Sequence, residues 1–595
     1  MEPPVQASPS MTPTPGTPPS PDTAAAAALD RVLMARSAPL TSGLSPISLS
    51  LAWQDWAQHL ASQPGQALRL AALAQAGVVE WAGRCASGLC SDDETVQRDP
   101  RFASEDWRAW PWSGLAQAYK RSERWWDEAM RLDGLTRHHA EVVRTFAHQW
   151  LDLLSPSNLP FNPEVLRRTR ETAGANLVQG AQHALDDWRR DHGLAPLQPP
   201  ERAFRPGIEV ATTPGAVVMR NRLVELIQYA PTTDTVQAEP VLIVPSWIMK
   251  YYILDLSPHN SMVRWLTDQG HTVFILSWKN PDAGDADLGM DDYLRLGVFD
   301  SLARIAELVP GEPVHACGYC LGGTLLSIGA AALARPGQVA GAERLAPLAS
   351  VSLLAAETDF SEPGELGVLI DEAQVQLLEA VMAERGFLSG RQMAGSFQFL
   401  HSRDLVWSTR MQEYLLGQRS QPSDLMAWNA DVTRMPARMH GEYLRRCYLH
   451  NDLAEARYPV EGRPVSLSDI RQPMFVVGTE KDHVSPWRSV YKVLRLTETA
   501  LTFVLTSGGH NAGIVSEPGH PRRHYALLAC GAEDPWMSPD DWLQAAPRRE
   551  GSWWTAWHDW LLAHGSARQV PARTIAPEAA LMPAPGAHVM VRYPD

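Results

Sequence analysis

From Leu29 to about Gly193, apolar residues recur every three or four positions, the spacing of helices that bury one face. Leu135, His139, Val142, Phe146, Trp150 and Leu153 form one such stripe. Asn162 followed by Pro163 reads as a helix cap and a first-turn proline, predicting a helix to Arg190 with Gly193 just past its end. The Pro-containing stretch Leu194 to Pro206 reads as a linker. Beyond it, short apolar runs alternate with helical patterns. Candidate strands are Ala216–Tyr229, Val241–Val244, Thr272–Trp278, Val314–Cys317, Ala349–Ala355, Met474–Val477 and Leu501–Leu505. Leu294, Val298, Leu302 and Ile305 mark one intervening helix and Thr324–Leu333 another. Strands alternating with helices predict an α/β fold with a mainly parallel sheet covered on both faces. The alternation stops between about 360 and 470, where Phe397, Phe399, Trp407, Met426 and Trp428 fall; this stretch is expected to be a cap inserted between two core strands. The predicted organisation is a disordered Pro/Ala-rich tail (1–27), a helical N-terminal domain (28–205) and an α/β domain (206–595) carrying the cap.

Composition narrows the partners. The 595 residues carry a formal charge of −15, so the basic footprint that nucleic acid requires is missing. Twenty-two Trp predict an aromatic core with some apolar surface left for a ligand or partner. No apolar run is long enough to span a bilayer, and the N-terminus lacks the basic and apolar regions of a signal peptide. Six Cys in a chain of this length do not form a disulfide framework, so reduced thiols and a cytoplasmic location are expected.

The chemistry concentrates in His315-Ala-Cys-Gly-Tyr-Cys320-Leu-Gly-Gly323, which follows a buried-type strand and opens a helix. Gly318-x-Cys320-x-Gly322 has the form of a nucleophile elbow with Cys in place of Ser; so sharp a turn leaves no room for side chains two residues to either side. The helix N-terminus favours thiolate at Cys320. The Leu321 amide is one expected oxyanion donor, and a second is expected from the loop after Val244, around Ile248. Asp482 follows the strand Met474–Val477, and His510 follows Leu501–Leu505. Nucleophile, acid, then histidine, each after a core strand, is the order of the α/β-hydrolase fold, with His510 as base and Asp482 orienting it. Blander roles exist for each group. Cys320 could be an inert core thiol, Asp482 a cap ahead of Pro486, His483 a substitute for His510, and Cys317-x-x-Cys320 a redox dithiol. The dithiol leaves Gly322, Gly323, Asp482 and His510 without a purpose. No Walker A, dinucleotide-binding or His-Glu-x-x-His motif is present, so neither nucleotide hydrolysis nor zinc catalysis is expected.

The chain resembles the class I polyhydroxyalkanoate synthases, the poly(3-hydroxybutyrate) polymerases, from about Asp99 to its C-terminus. In the helical region the resemblance lies in Asp99-Pro-Arg-Phe102, Trp107, Ser155-Pro-Ser-Asn158 and Asn162-Pro163. Further on it lies in Thr213-Pro-Gly215, Glu225-Leu-Ile-Gln-Tyr229, Tyr252-Ile-Leu-Asp-Leu256, Gly270-His-Thr-Val-Phe274 and Ser277-Trp-Lys-Asn-Pro-Asp282. Gly318-Tyr-Cys-Leu-Gly-Gly323, Asp404-Leu-Val-Trp407, Trp428-Asn429, Asp482-His483 and Gly551-Ser-Trp-Trp554 extend it. The resemblance implies an acyltransferase that joins (R)-3-hydroxyacyl groups, chiefly 3-hydroxybutyryl, from CoA thioesters into polyester with release of CoA. It implies Cys320, His510 and Asp482 as nucleophile, base and acid, no cofactor beyond the CoA of the substrate, and a homodimer on cytoplasmic polymer granules. Ser246, Asn511 and Cys317 depart from the family's pattern near the site, and the N-terminal tail is not part of it. The competing functions are a hydrolase of the same fold (a thioesterase or polyester depolymerase) and an inactive granule-surface protein.

Overall fold

The computed structural model describes residues 21–87, 94–197, 202–337 and 339–593. Residues 1–20 of the expected tail and 198–201 of the expected linker lie outside them. The N-terminal region is helical: α1 (Pro21–Ser37), α2 (Pro46–Ser62), α3 (Pro64–Ala86), α4 (Trp112–Ala129), α5 (Arg137–Leu153), α6 (Pro163–Glu171) and α7 (Ala175–Asp191). α1 begins inside the segment read as tail. Residues 24–33 are exposed, and anchoring starts at Ala35.

Two sequence expectations change here. The helix expected from Pro163 to Arg190 is two helices. Asn162 does cap the first, its side chain accepting the Glu164 amide at 2.9 Å, but Ala173 and Gly174 turn left-handed (φ 49° and 85°) and break the run. Of the expected stripe only Val142 is in the core; His139 and Phe146 are half-buried, and Trp150 and Leu153 are exposed. Cys85, near the end of α3, is disulfide-bonded, against the expectation of reduced thiols throughout; Cys317, Cys320, Cys447 and Cys530 are free.

The second region is built on one large sheet. Its strands are β1 (Gly215–Arg220), β2 (Val224–Tyr229), β3 (Val241–Val244), β4 (Val273–Trp278), β5 (Val314–Tyr319), β6 (Leu348–Leu354), β7 (Met474–Thr479), β8 (Leu501–Thr506), β9 (His524–Cys530), β10 (Arg548–Glu550) and β11 (Met582–Pro583). Their order across the sheet is β10-β9-β8-β7-β6-β5-β3-β4-β2-β1-β11. The pairs from β4 through β3, β5, β6 and β7 to β8 are parallel, and the outer strands are antiparallel. The single strand expected over Ala216–Tyr229 is the β1–β2 hairpin. Asn221 makes its turn by accepting the amides of Leu223 and Val224, each at 2.9 Å. β9, β10 and β11 were not anticipated; β10 reads Arg-Arg-Glu, which carries no apolar signal.

Alternation along the strands sorts the core into two layers. Met474 and Val476 of β7 join the layer of Trp278, Leu294 and Leu325, whereas Phe475 and Val477 join that of Tyr252, Trp553 and Trp557. Helix α8 (Leu321–Ala334) follows β5 and is buried along nearly its whole length.

The cap lies between β6 and β7, as expected, and includes α9 (Glu372–Arg385) and α10 (Gly390–Leu400). The N-terminal helices pack on its outer side. Ala35 and Ala38 meet Leu377 and Val381 of α9, and the Ser45 amide donates to Gln374 Oε1 at 2.7 Å. A largely buried ionic cluster ties α4 and α5 to the cap: Arg101 bonds Asp99, Glu123 and Asp152 at 2.6–3.0 Å, and Arg403 bonds Glu123 and Asp152 at 3.0 Å. Among the described residues, no helix is long and apolar enough to cross a membrane.

Candidate active site

Cys320 sits between β5 and α8 with φ 52° and ψ −125°, a conformation a non-glycine residue holds only when its surroundings impose it. Its amide is fixed by the Leu354 carbonyl of the neighbouring strand at 2.8 Å. The two glycines serve different neighbours. A Cβ on Gly318 would overlap Gly323 at the start of α8, and one on Gly322 would overlap the carbonyl oxygens of Val244 and Pro245 after β3. The elbow therefore needs glycine because strand, helix and the β3 loop all close on it. Cys317 packs in the apolar layer with Ile243 and Val477, and burial pushes its thiol well above the ordinary range. It is unsuited to exchange chemistry.

Asp482 lies in the turn after β7 and His510 in the turn after β8. The parallel β7–β8 pairing keeps Thr479 opposite Thr506, so both turns leave the same sheet edge. His510 Nδ1 is 2.9 and 3.1 Å from the Asp482 carboxylate oxygens. Asp482 also accepts the amides of Val484 and Ser485 and the Thr479 hydroxyl at 2.8–3.0 Å. It does not cap the following helix, whose first residue is Trp487 after Pro486. Burial works to raise the Asp482 pKa, but the His510 charge and these hydrogen bonds hold it below the usual carboxylate value. Burial likewise opposes charge on His510. The Asp482 carboxylate, negative charge on Cys320 and hydrogen bonds to both outweigh it, raising the imidazole well above its ordinary value. The structure thus brings Cys320, His510 and Asp482 together. His483 instead faces His401, their ring centres 3.9 Å apart.

Leu321 is the first residue of α8, so its amide has no intrahelical acceptor. The Ile248 amide donates to Ser246 Oγ at 3.3 Å, a long bond that an oxyanion could replace. The carbonyls of Trp247 and Ile248 are held from the cap by the Thr433 hydroxyl. Two departures noted in the sequence thereby acquire positions: Ser246 bears on the Ile248 amide, and Asn511 accepts the Tyr319 hydroxyl at 2.7 Å.

These groups open into a cavity of about 580 Å³ between the sheet edge and the cap. Of the cap aromatics singled out in the sequence, Phe397 and Trp428 line it. Phe399 packs instead against Phe146 of α5, Trp407 lies under Arg410, and Met426 is exposed. Met393, Leu425 and Phe360 also line the cavity, as does Glu357, a buried carboxyl that sequence reasoning missed. Its signal was position: it stands three residues past β6, at the strand ends where sites of open α/β sheets gather.

Comparison with known proteins agrees with this architecture. Family profiles described as "Poly-beta-hydroxybutyrate polymerase N terminal" and "Poly-beta-hydroxybutyrate polymerase (PhaC) N-terminus" match residues 24–66 and 98–266, and "alpha/beta hydrolase fold" matches 239–517. A poly(3-hydroxyalkanoate) polymerase of Methylorubrum extorquens is 40% identical over 503 residues, covering 83% of this chain and 81% of its own. The poly(3-hydroxyalkanoate) polymerase subunit of Rhizobium meliloti is 38% identical, covering 86% of this chain and 82% of its own. That of Cupriavidus necator is 38% identical and covers 83% of each.

Proposed function

The chain belongs to the poly(3-hydroxyalkanoate) polymerase family, and on that premise we propose that Cys320 carries the growing acyl chain as a thioester. The protein is an acyltransferase that polymerises hydroxyacyl groups into polyhydroxyalkanoate. In the proposed cycle the Cys320 sulfur attacks the thioester carbonyl of a hydroxyacyl-CoA, with (R)-3-hydroxybutyryl-CoA the proposed monomer. The amides of Leu321 and Ile248 receive the oxyanion. The carbon–sulfur bond to CoA breaks, and His510 returns a proton to the departing thiolate. His510 then takes the proton from the hydroxyl of a second hydroxyacyl-CoA, whose oxygen attacks the acyl-enzyme. The ester forms as the carbon–sulfur bond to Cys320 breaks and His510 gives that proton to the departing sulfur, and Cys320 then attacks the thioester of the lengthened chain and releases its CoA. Asp482 holds the imidazole and its charge throughout.

One thioester is exchanged for another in the first step, at little change in free energy. The observation that carries the reading is the placement of Cys320 at the elbow with the hydrogen-bonded His510–Asp482 pair on the same sheet edge. The reaction needs no resident cofactor, since CoA arrives with the substrate. We place the enzyme in the cytoplasm as a homodimer on the surface of the polymer it makes. Exposed Trp150, Leu154, Phe161, Val178 and Trp188 in the helical region supply apolar surface for such contacts.

The test combines CoA release, turbidity and intact-mass measurement after mixing with 3-hydroxybutyryl-CoA. Release with turbidity and an acyl adduct on Cys320 supports the cycle. Release with free acid and no turbidity makes the chain a hydrolase, and no release at all makes it an inactive surface protein.

A further inference from the structure

Glu357 is 4% exposed, lines the cavity and has no hydrogen-bond partner at Oε1. A buried carboxyl oxygen without a partner costs stability, so the retention of Glu357 at the cavity of the nucleophile calls for a use. Its backbone is held in place: the Thr324 hydroxyl, one turn into α8, donates to the Glu357 carbonyl at 2.8 Å. Several other polar side chains of the cavity are engaged. His510 is on Asp482, Asn511 takes the Tyr319 hydroxyl, Ser246 takes the Ile248 amide, and His401 is paired with Glu365 at 2.9 Å. Much of the remaining wall is apolar, supplied by Phe360, Phe397, Met393 and Leu425. Burial first, then the interactions with Asp482 and Cys320, push the Glu357 carboxyl well above the usual range, which favours its protonated form. A neutral carboxyl offers both a donor and an acceptor, the pairing that an alcohol satisfies in full and an alkyl chain leaves unmet.

We propose that Glu357 hydrogen-bonds the hydroxyl of the acyl chain bound at Cys320 and so selects hydroxyacyl thioesters over thioesters that lack the hydroxyl. This inference rests on the reading of Cys320 as the acyl carrier. It makes Glu357 a specificity-determining residue, acting in the acylation step before any polymer forms. Rejection of a substrate without the hydroxyl follows because its alkyl chain would seal the carboxyl away unpaired.

The test is single-turnover CoA release from 3-hydroxybutyryl-CoA and from butyryl-CoA over a range of concentrations. It is run on the wild type, Glu357→Leu and Glu357→Gln. Comparing the two substrates within each protein cancels any loss of folded enzyme. The wild type is expected to favour the hydroxyacyl substrate in kcat/KM. Glu357→Leu should lose about tenfold with that substrate and change less than about twofold with butyryl-CoA. Glu357→Gln, whose amide also donates and accepts, should keep most of the preference. A substrate ratio unchanged in Glu357→Leu, or lost as fully in Glu357→Gln, overturns the proposal. Failure of the wild type to release CoA from either thioester would instead defeat the reading of Cys320.

Discussion

The cavity has two walls made in different ways. On the sheet side every reactive group hangs from the carboxyl end of a strand: Ile248 after β3, Cys320 after β5, Glu357 after β6, Asp482 after β7 and His510 after β8. On the cap side, Met393, Phe397, Leu425 and Trp428 come from irregularly connected helices and present apolar surface. Strand register fixes a side chain to within a hydrogen bond, as covalent chemistry demands. Excluding water demands only volume and apolar cover, which a packed cap can supply without fixed register. The sheet wall should therefore control whether acyl transfer happens, and the cap wall what becomes of the acyl-enzyme.

The sharpest way to break this division is His510→Ala. Loss of the base should lower polymerisation by about 10³-fold or more without unfolding the protein, read from CoA release and a melting curve. Retention of a tenth of the activity would mean that the sheet wall does not hold the base.

Asp482→Asn should act less severely, about 10²-fold, and more on elongation than on acylation, because a thiol needs less help than a hydroxyl. Its pH signature follows from the pKa directions. Burial lowers the His510 pKa and the Asp482 charge raises it, so removing that charge lets the imidazolium lose its proton at lower pH. Acylation that uses the imidazolium should then lose its alkaline limb at lower pH in the variant. A limb that stays put or moves upward contradicts the role of Asp482.

Trp428→Ala probes the other wall. Its indole N–H donates to the Lys250 carbonyl at 2.7 Å, tying the cap to the loop that carries the Ile248 amide. We expect the share of free hydroxy acid among the products to rise a few-fold while CoA release falls less. An unaltered product ratio with reduced activity would make Trp428 a packing residue only. The smallest effect belongs to Cys317→Ser. With its side chain in the core layer away from the cavity, most polymerisation activity should survive, measured as turbidity per enzyme. Loss comparable to His510→Ala would revive a dithiol at the elbow.

The same two walls differ in how far the sequence reveals them. Cys320, Asp482 and His510 were readable because each follows an apolar strand run, and the elbow glycines mark the tightest of the turns. Glu357 follows a strand run too, but nothing in Ala-Ala-Glu-Thr distinguishes an unpaired carboxyl oxygen from a solvated one, and position alone did not single it out. Within the cap, aromatic composition pointed to Phe397 and Phe399 alike. Only packing decides that the first lines the cavity while the second meets Phe146. The helix break at Ala173–Gly174 and the strand Arg548–Glu550 were hidden as well. The strand takes its conformation from pairing with β9 rather than from local pattern, and the break, closed by local bonds at Gly174, was masked by the apolar spacing that continues on both sides of it.

The grip of the N-terminal helices on the cap also orders events during synthesis. The Ser45 amide and its acceptor on Gln374 are 329 residues apart, and Ala35 and Ala38 share a cluster with Leu377 and Val381. At ribosomal speeds of about 5–20 residues per second, that separation is on the order of 20 to 60 s of translation. Throughout that interval the first helices are outside the ribosome with their docking surface still unmade. The region translated first is thus among the last to be finished, and the nascent chain must keep it from sticking elsewhere until the cap emerges.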